Sequence, residues 1–166
     1  MKQIKNVIAV FALAIGLMLT QSCADPCKKV ECGDNGTCVE GVCECNAGYE
    51  GDNCETEVRA QFLGTYTVSD ACAPGTTYNS VISAVSSDVQ KVSISNILGA
   101  SLQGTATANV SGSSLTIPSQ QVTDADGDNW TVSGSGSKSG SQVSLSVTST
   151  FGTNDPVTCA LTLSPQ

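Results

Sequence analysis

The nine cysteines of this 166-residue chain fall into three groups, and this grouping constrains the fold more than any other feature. Cys23 stands alone at the end of an apolar leader, six cysteines lie within residues 27–54, and Cys72 and Cys159 are far apart. Disulfides persist in oxidising compartments outside the cytoplasm. Eight cysteines that pair evenly, with one left over, therefore predict an exported protein held by four disulfides.

The first 22 residues have the layout of a secretory signal peptide. Residues 1–5 are basic at Lys2 and Lys5, and residues 7–19 are an unbroken apolar run. A helix of that length covers about 20 Å, whereas a membrane span must cross about 30 Å of hydrocarbon. A cleaved signal is therefore predicted, and an uncleaved amphipathic anchor or a buried helix is the alternative.

The end of this leader, Leu19-Thr20-Gln21-Ser22-Cys23, resembles the lipobox of bacterial lipoproteins in the loose form found in Bacteroidota. The resemblance implies cleavage before Cys23, a lipid on its thiol and a fatty acid such as palmitate on the new amino terminus. Several acyl chains anchor a protein durably. We therefore expect residues 23–26 to be a lipidated N-terminus at the bacterial outer membrane, on its periplasmic or its surface face. An ordinary disulfide cysteine is the alternative.

The charge of the mature chain excludes one class of partner. Cleavage removes Lys2 and Lys5 from seven basic residues and none of the fifteen acidic ones, which leaves 5 − 15, a net charge of about −10. Such a charge repels phosphate backbones, so nucleic acid is not expected as a partner. Membrane contact is expected through the lipid alone.

Residues 27–54 resemble the EGF-like family. Their six cysteines follow the spacing C-x4-C-x5-C-x4-C-x-C-x8-C, and this spacing alone leaves several pairings open. Residues 45–54 (CNAGYEGDNC) match the terminal signature of the family, C-x-x-G-aromatic-x-G-x-x-C, and residues 34–38 (DNGTC) resemble its turn before the third cysteine. So short a segment cannot bury a core of its own and needs covalent crosslinks.

The EGF resemblance implies three bridges, which are Cys27–Cys38, Cys32–Cys43 and Cys45–Cys54. It also implies positive φ or close backbone approach at Gly48 and Gly51, with Tyr49 packed on the last bridge. A metal site is the alternative for a cysteine cluster, but no C-x2-C pair is present. The calcium ligands of some family members are absent, so the module is expected to act as a spacer or as a protein-contact surface.

Residues 55–58 are expected to be a short linker, and residues 59–166 an antiparallel β domain. Apolar and polar residues alternate there with period two, separated by turn signals such as Ser111-Gly112, Asp126-Gly127 and residues 133–141. The pattern predicts eight strands, at residues 62–68, 78–85, 91–96, 106–110, 115–117, 130–132, 143–147 and 157–163. Eight meandering strands favour a barrel or a two-layer sandwich.

Cys72 follows the first of these strands and Cys159 lies in the last. Closure of a barrel would make those strands neighbours, so a Cys72–Cys159 bridge is expected to join them, and two free thiols are the alternative. Such a bridge contributes at most about 4–5 kcal/mol. Residues 62–68 (FLGTYTV) resemble the opening strand of lipocalins and also the unassigned tail domains of Bacteroidota lipoproteins. The lipocalin resemblance makes Phe62 and Tyr66 candidate ligand contacts.

The acidic segment of residues 124–129 (DADGDN) imitates the start of a calcium loop through Asp124, Asp126 and Asp128. Glycine, however, is absent from the sixth position, and the twelfth is Ser135 instead of glutamate. A solvated hairpin tip is the favoured interpretation, and a weak calcium site is the alternative.

The sequence points to no enzyme activity. Histidine is absent, which excludes Ser–His–Asp and Cys–His catalysis and histidine metal sites. No cofactor is expected. Three hypotheses follow: a non-catalytic interaction or adhesion module with a protein or glycan partner, a lipocalin-like carrier with an apolar cavity of about 300 Å³ or more, and an enzyme that uses a pair of carboxylates.

Overall fold

The computed structural model describes residues 25–99 and 102–166, and these residues form a small disulfide-rich region followed by a closed β-barrel. The predicted signal peptide and Cys23 lie outside the described residues. In the described part of the chain, no helix has the length and apolarity that crossing a membrane requires.

The disulfide-rich region contains two small antiparallel pairs of strands. β1 (Gly36–Val39) pairs with β2 (Val42–Cys45), and β3 (Tyr49–Glu50) pairs with β4 (Thr56–Glu57). Three disulfides tie it together, Cys27–Cys38, Cys32–Cys43 and Cys45–Cys54, which are the pairs that the EGF resemblance implies. Gly48 and Gly51 have positive φ angles of 91° and 95°, where a side chain would be strained.

A 3-10 helix, Val58–Phe62, leads into the barrel. The eight barrel strands are β5 (Gly64–Asp70), β6 (Thr77–Ala84), β7 (Lys91–Ser95), β8 (Thr105–Ser111), β9 (Ser114–Thr123), β10 (Asn129–Ser139), β11 (Gln142–Phe151) and β12 (Val157–Pro165). Each strand pairs antiparallel with the next, and β12 pairs with β5 to close the barrel. The mainly β fold with an EGF-like region and an eight-stranded antiparallel domain is thus confirmed, and of the two predicted architectures it is the barrel.

Alternation places one side of every strand in a single core. On β5, Tyr66 and Val68 are buried, and on β11 the buried residues are Val143, Leu145 and Val147. Small residues fill the narrow parts of the interior, such as Ala106 and Ala108 on β8. Most outward positions are serine or threonine, so the barrel wall is wet and almost uncharged.

β9 and β10 are longer than the sequence pattern predicts. Residues 133–141 were expected to form a turn because of their serine and glycine content, yet β10 continues through them to Ser139 and only Gly140–Ser141 turns. β9 likewise runs past Pro118, which has no N–H to donate. A β-bulge in β9, where Pro118 and Ser119 lie opposite the single residue Ser133 of β10, accommodates the missing hydrogen bond.

The expected linker at residues 55–58 is part of both folded regions. Thr56–Glu57 is β4, and Val58 already begins the 3-10 helix. Phe62, expected on the first barrel strand, ends that helix and is completely buried. The apolar residues of this segment explain the difference, because they are drawn into the barrel core and leave no free chain between the two regions.

The two ends of the barrel differ, and we call them the module end and the far end. The module end carries the 3-10 helix and the turns β6–β7, β8–β9 and β10–β11. The far end carries the loops β5–β6, β7–β8, β9–β10 and β11–β12. Because the strands alternate in direction, the EGF-like region and the far-end loops lie at opposite ends of the barrel.

Candidate functional site

A cleft of about 260 Å³ opens at the far end, and we call it the far-end cleft. Ala73 and Thr76 of the β5–β6 loop lie on one side, and Leu98, Gly99 and Leu102 lie on the other. The lining residues are Asp70, Ala73, Thr76, Tyr78, Leu98, Gly99 and Leu102. A few polar groups among apolar side chains is the usual composition of a small-molecule or side-chain site.

Asp70 is the charged group of this cleft. It is the last residue of β5, and its Oδ1 accepts a hydrogen bond of 2.8 Å from the backbone N–H of Cys72. Its Oδ2 faces Gly99. If that glycine carried a Cβ, the Cβ would lie 3.8 Å from Oδ2. Among the described residues, neither of the two ion pairs involves Asp70, so its charge has no cationic partner there.

Tyr78 separates the far-end cleft from the barrel interior. It lies on the inward side of β6, directly across from Val68 of β5. Its hydroxyl group is buried and has no hydrogen-bond partner within the described structure. Burial, together with the nearby charge of Asp70, raises the pKa of Tyr78 to about 12, so the phenol is neutral at ordinary pH.

All three basic residues of the barrel domain lie at the module end together with Asp88, whereas its five other aspartates lie at the far end. Every charged residue in the far-end loops and at their strand junctions is an aspartate, namely Asp70, Asp124, Asp126, Asp128 and Asp155. The basic residues of the barrel domain, Arg59, Lys91 and Lys138, all lie at the module end. The far end is therefore a negative pole that attracts cations and repels anions.

The acidic segment at residues 124–129 is a self-contained hairpin. The carboxylate of Asp124 accepts hydrogen bonds from the backbone N–H of Asp126 (3.0 Å), the backbone N–H of Asp128 (2.9 Å) and the indole N–H of Trp130 (2.8 Å). These bonds favour the charged form and lower the pKa of Asp124, the bond from Trp130 most of all. Trp130 in turn packs on Phe151, with ring centroids 5.0 Å apart.

The structure does not bring the calcium candidates Asp124, Asp126 and Asp128 together. Their carboxylates form no group of potential metal ligands in the described parts of the chain, and Asp124 already has three donors of its own. One such group exists there, formed by Asp70, Cys72 and Cys159. Its two sulfurs are bonded to each other, however, so neither is a thiolate that could bind a metal.

Phe62 and Tyr66, the candidate ligand contacts, are core residues. Phe62 exposes 0% of its surface and Tyr66 exposes 2%, so both side chains are enclosed by the barrel core. The hydroxyl group of Tyr66 donates a hydrogen bond of 2.7 Å to the carbonyl of Phe62. The apolar cavity that a carrier would need is therefore not present around these two residues.

Arg59, which the sequence did not single out, joins the EGF-like region to the barrel. Its guanidinium Nε donates to Glu57 at 2.7 Å, and its Nη1 donates to the backbone carbonyls of Val85, Asp88 and Lys91 at 2.6–3.2 Å. Only 6% of the residue is exposed. Arginine suits this position because its planar fork carries several donors in fixed directions.

Direct packing reinforces this junction. The backbone N–H of Val58 donates to the carbonyl of Gly48 at 2.9 Å. A Cβ at Gly48 would lie only 2.8 Å from a methyl group of Val89, so glycine is what permits the close approach. The EGF-like region is therefore docked on the β6–β7 turn of the barrel.

Comparison with known proteins identifies the small module only. A family model described as a teneurin-like EGF domain matches residues 27–57. No curated protein matches the chain significantly. The chain thus contains an EGF-like region followed by a closed barrel, and four disulfides of this kind are typical of proteins outside the cytoplasm.

Proposed function

We propose that this protein is a lipid-anchored, extracytoplasmic and non-catalytic interaction module that presents the far end of its barrel to a protein or glycan partner. Residue Cys23 carries the lipid and attaches the chain to the outer membrane. The EGF-like region then acts as a spacer between the membrane and the barrel.

One observation carries this proposal, which is the placement of the long loops and their cleft at the barrel end opposite the EGF-like region. A protein anchored through its N-terminus displays that end outward. Loops on a rigid scaffold are the usual location of binding residues. The barrel wall between the two ends offers mostly small hydroxyl side chains and almost no charge.

The contents of the far-end cleft agree with a role in binding. Asp70 is the one carboxylate among its lining residues. Glycoside hydrolysis requires two carboxylates that flank the scissile bond, and this lining does not supply the pair. The buried positions of Phe62 and Tyr66 also leave no interior space for a carried ligand beside them.

Site-specific photo-crosslinking in the native host tests the proposal. A photoreactive phenylalanine analogue replaces Thr153, an exposed residue of the far-end β11–β12 loop. The matched control replaces Ser141, an exposed residue of the β10–β11 turn at the module end. We expect a discrete crosslinked adduct from position 153 and none from position 141, as read by immunoblot and mass spectrometry.

The anchor is tested in the same cells. The native chain should label with an alkyne analogue of palmitate and sediment with the outer membrane, whereas Cys23→Ser should do neither. Equal adducts from positions 153 and 141 would contradict the presentation of the far end. A Cys23→Ser chain that still takes up label would contradict the assigned anchor.

A further inference from the structure

We propose that the far-end cleft binds an alkylammonium group, as carried by a lysine side chain of a partner protein or by a free polyamine. This inference deepens the proposed function, on which it rests, by naming the chemical group that the far end would recognise. It follows from the unpaired charge, the shape and the surroundings of the cleft.

The carboxylate of Asp70 has no cationic partner among the described residues. Asp70 is half-buried, and one of its oxygens is occupied by the backbone N–H of Cys72. The other oxygen, Oδ2, faces the open side of Gly99 and accepts no hydrogen bond among the described residues. A half-buried carboxylate is most stable with a cationic donor, and an ammonium group supplies both charge and N–H.

The size and lining of the cleft suit an aliphatic chain with a charged tip. Leu98, Leu102 and Ala73 give it apolar walls. Methylene chains pack on such walls while their charged tip reaches a polar group. Its volume of about 260 Å³ is below the range of about 300–1,000 Å³ usual for drug-sized ligands. The cleft therefore suits one aliphatic amine and excludes a large cofactor.

Tyr78 is the aromatic residue of the cleft lining. Its hydroxyl group is buried and has no partner among the described residues, which is uncommon for a phenol in a folded protein. Because the phenol stays neutral, it adds a polar group beside Asp70 without adding a second charge. The phenol oxygen itself is buried, so the charge of the ligand is met by Asp70 alone.

The electrostatic field around the cleft is negative. Five aspartates and no basic residue occupy the far end. Such a pole raises the local concentration of cations and speeds their association. It also disfavours phosphate, sulfate and carboxylate ligands. Aspartates away from the cleft contribute to this field without touching the ligand, and this difference gives the test its control.

The experiment measures binding of amine probes to the oxidised chain of residues 24–166 by NMR chemical-shift titration. The probes are N-acetyl-lysine methylamide, its Nε-acetylated form and 1,5-diaminopentane. We expect saturable shifts at Leu98, Leu102 and Asp70 with both amines and none with the neutral acetylated form. Asp70→Asn keeps the acceptor for the Cys72 N–H and should weaken binding by about ten-fold or more.

Asp155→Asn is the matched control, since it removes the same charge from an exposed loop position outside the cleft lining. It should change the affinity by less than about two-fold, as expected for a screened surface charge. Equal weakening by both variants, unchanged binding to Asp70→Asn, binding of the acetylated probe, or no binding of either amine would overturn the inference. Melting temperatures of the variants establish that each one folds.

The two probes also separate the two sources of the amine. Tighter binding of the lysine derivative supports a protein partner, and tighter binding of the diamine supports a free polyamine. The crosslinking at position 153 reports independently on the proposed function. Adducts without amine binding would remove this inference alone, whereas amine binding without adducts would leave the cleft as a small-molecule site and remove the interaction role.

Discussion

Trp130 and Asp124 show how a motif that imitates a metal site can serve the fold instead. The acidic run suggested calcium, yet the Asp124 carboxylate is occupied by two backbone N–H groups of its own hairpin and by the Trp130 indole. A carboxylate with three donors is stabilised as an anion without any cation. Its charge therefore orders the β9–β10 hairpin and fixes the aromatic pair at the far end.

The pH dependence of this contact can be measured by tryptophan fluorescence, because Trp130 is the single tryptophan of the chain. The hydrogen bonds lower the pKa of Asp124 below that of an ordinary aspartate, about 3.9. The contact thus stabilises the fold above that pH, and its contribution is lost as the pH falls through the lowered pKa. We expect the tryptophan fluorescence to change with a midpoint below about 3.9.

Asp124→Asn should abolish this transition, while Asp126→Asn, an exposed neighbour, should retain it. Far-UV circular dichroism over the same range separates the local event from acid unfolding. The same fluorescence midpoint in the Asp124→Asn variant would show that another group is responsible.

At the scale of elements, the alternating pattern was sufficient for the existence of all eight barrel strands but not for their lengths. Apolar positions such as Val92 and Ile94 on β7 carry a clear period of two. The sequence pattern ends β10 too early, because glycines are typical of turns when a segment is considered by itself. The close approach of β11 explains these glycines, and that approach is set by the tertiary fold and not by the local sequence.

Gly134 is the clearest instance, and it provides a prediction. A Cβ at this position would meet the carbonyl of Ser146 and the backbone of Val147 on β11, which cannot move aside as a flexible side chain could. Gly134→Ala should therefore destabilise the barrel by about 1–3 kcal/mol through overpacking. Urea unfolding measures this loss.

Ser135→Ala is its control, at the next and exposed position of the same strand, and it should change the stability by less than about 0.5 kcal/mol. If Gly134→Ala were as stable as the native chain, the two strands would have to be further apart than the structure places them.

The residues of the candidate site likewise could not be predicted from the local sequence. Asp70 and Tyr78 are ordinary residues of two strand ends, and nothing in their immediate sequence marks them. They come together because β5 and β6 are antiparallel neighbours and because the β7–β8 loop covers the same barrel end. Arg59 was missed for a similar reason, since its carbonyl partners lie 26 to 32 residues away.

At the scale of the whole molecule, the barrel closes on itself and the EGF-like region docks on one of its ends. The barrel seam between β12 and β5 continues past Asp70 into the Cys72–Cys159 disulfide, so a covalent bond extends the closing strand pair. At the opposite end, Arg59 binds the β6–β7 turn while Glu57 and the 3-10 helix connect it to the EGF-like region. No free linker separates the two.

Arg59→Met tests this description. The substitution keeps an apolar chain of similar length but removes the charged donor from Glu57 and from three backbone carbonyls, each of which keeps one backbone N–H donor. Because Glu57 is partly exposed, the main loss is that of the buried hydrogen bonds from a charged donor, about 1.5–3 kcal/mol. We expect a corresponding fall in the free energy of unfolding, and ¹⁵N relaxation should show the EGF-like region tumbling separately from the barrel.

Lys138→Met is the control for charge, because Lys138 lies at the same barrel end and is part of neither ion pair of the described structure. It should keep both the stability and a common tumbling time. Separate tumbling in the native chain would contradict the docked arrangement.

The docked junction has a mechanical consequence. With no hinge between the EGF-like region and the barrel in the described residues, a pull on the far-end loops passes through the barrel and the Arg59 contacts to the EGF-like region. A unit of this construction keeps its length nearly constant and transmits tension instead of absorbing it. In that sense Arg59 fixes the junction, and the described part of the molecule acts as a short rigid spacer.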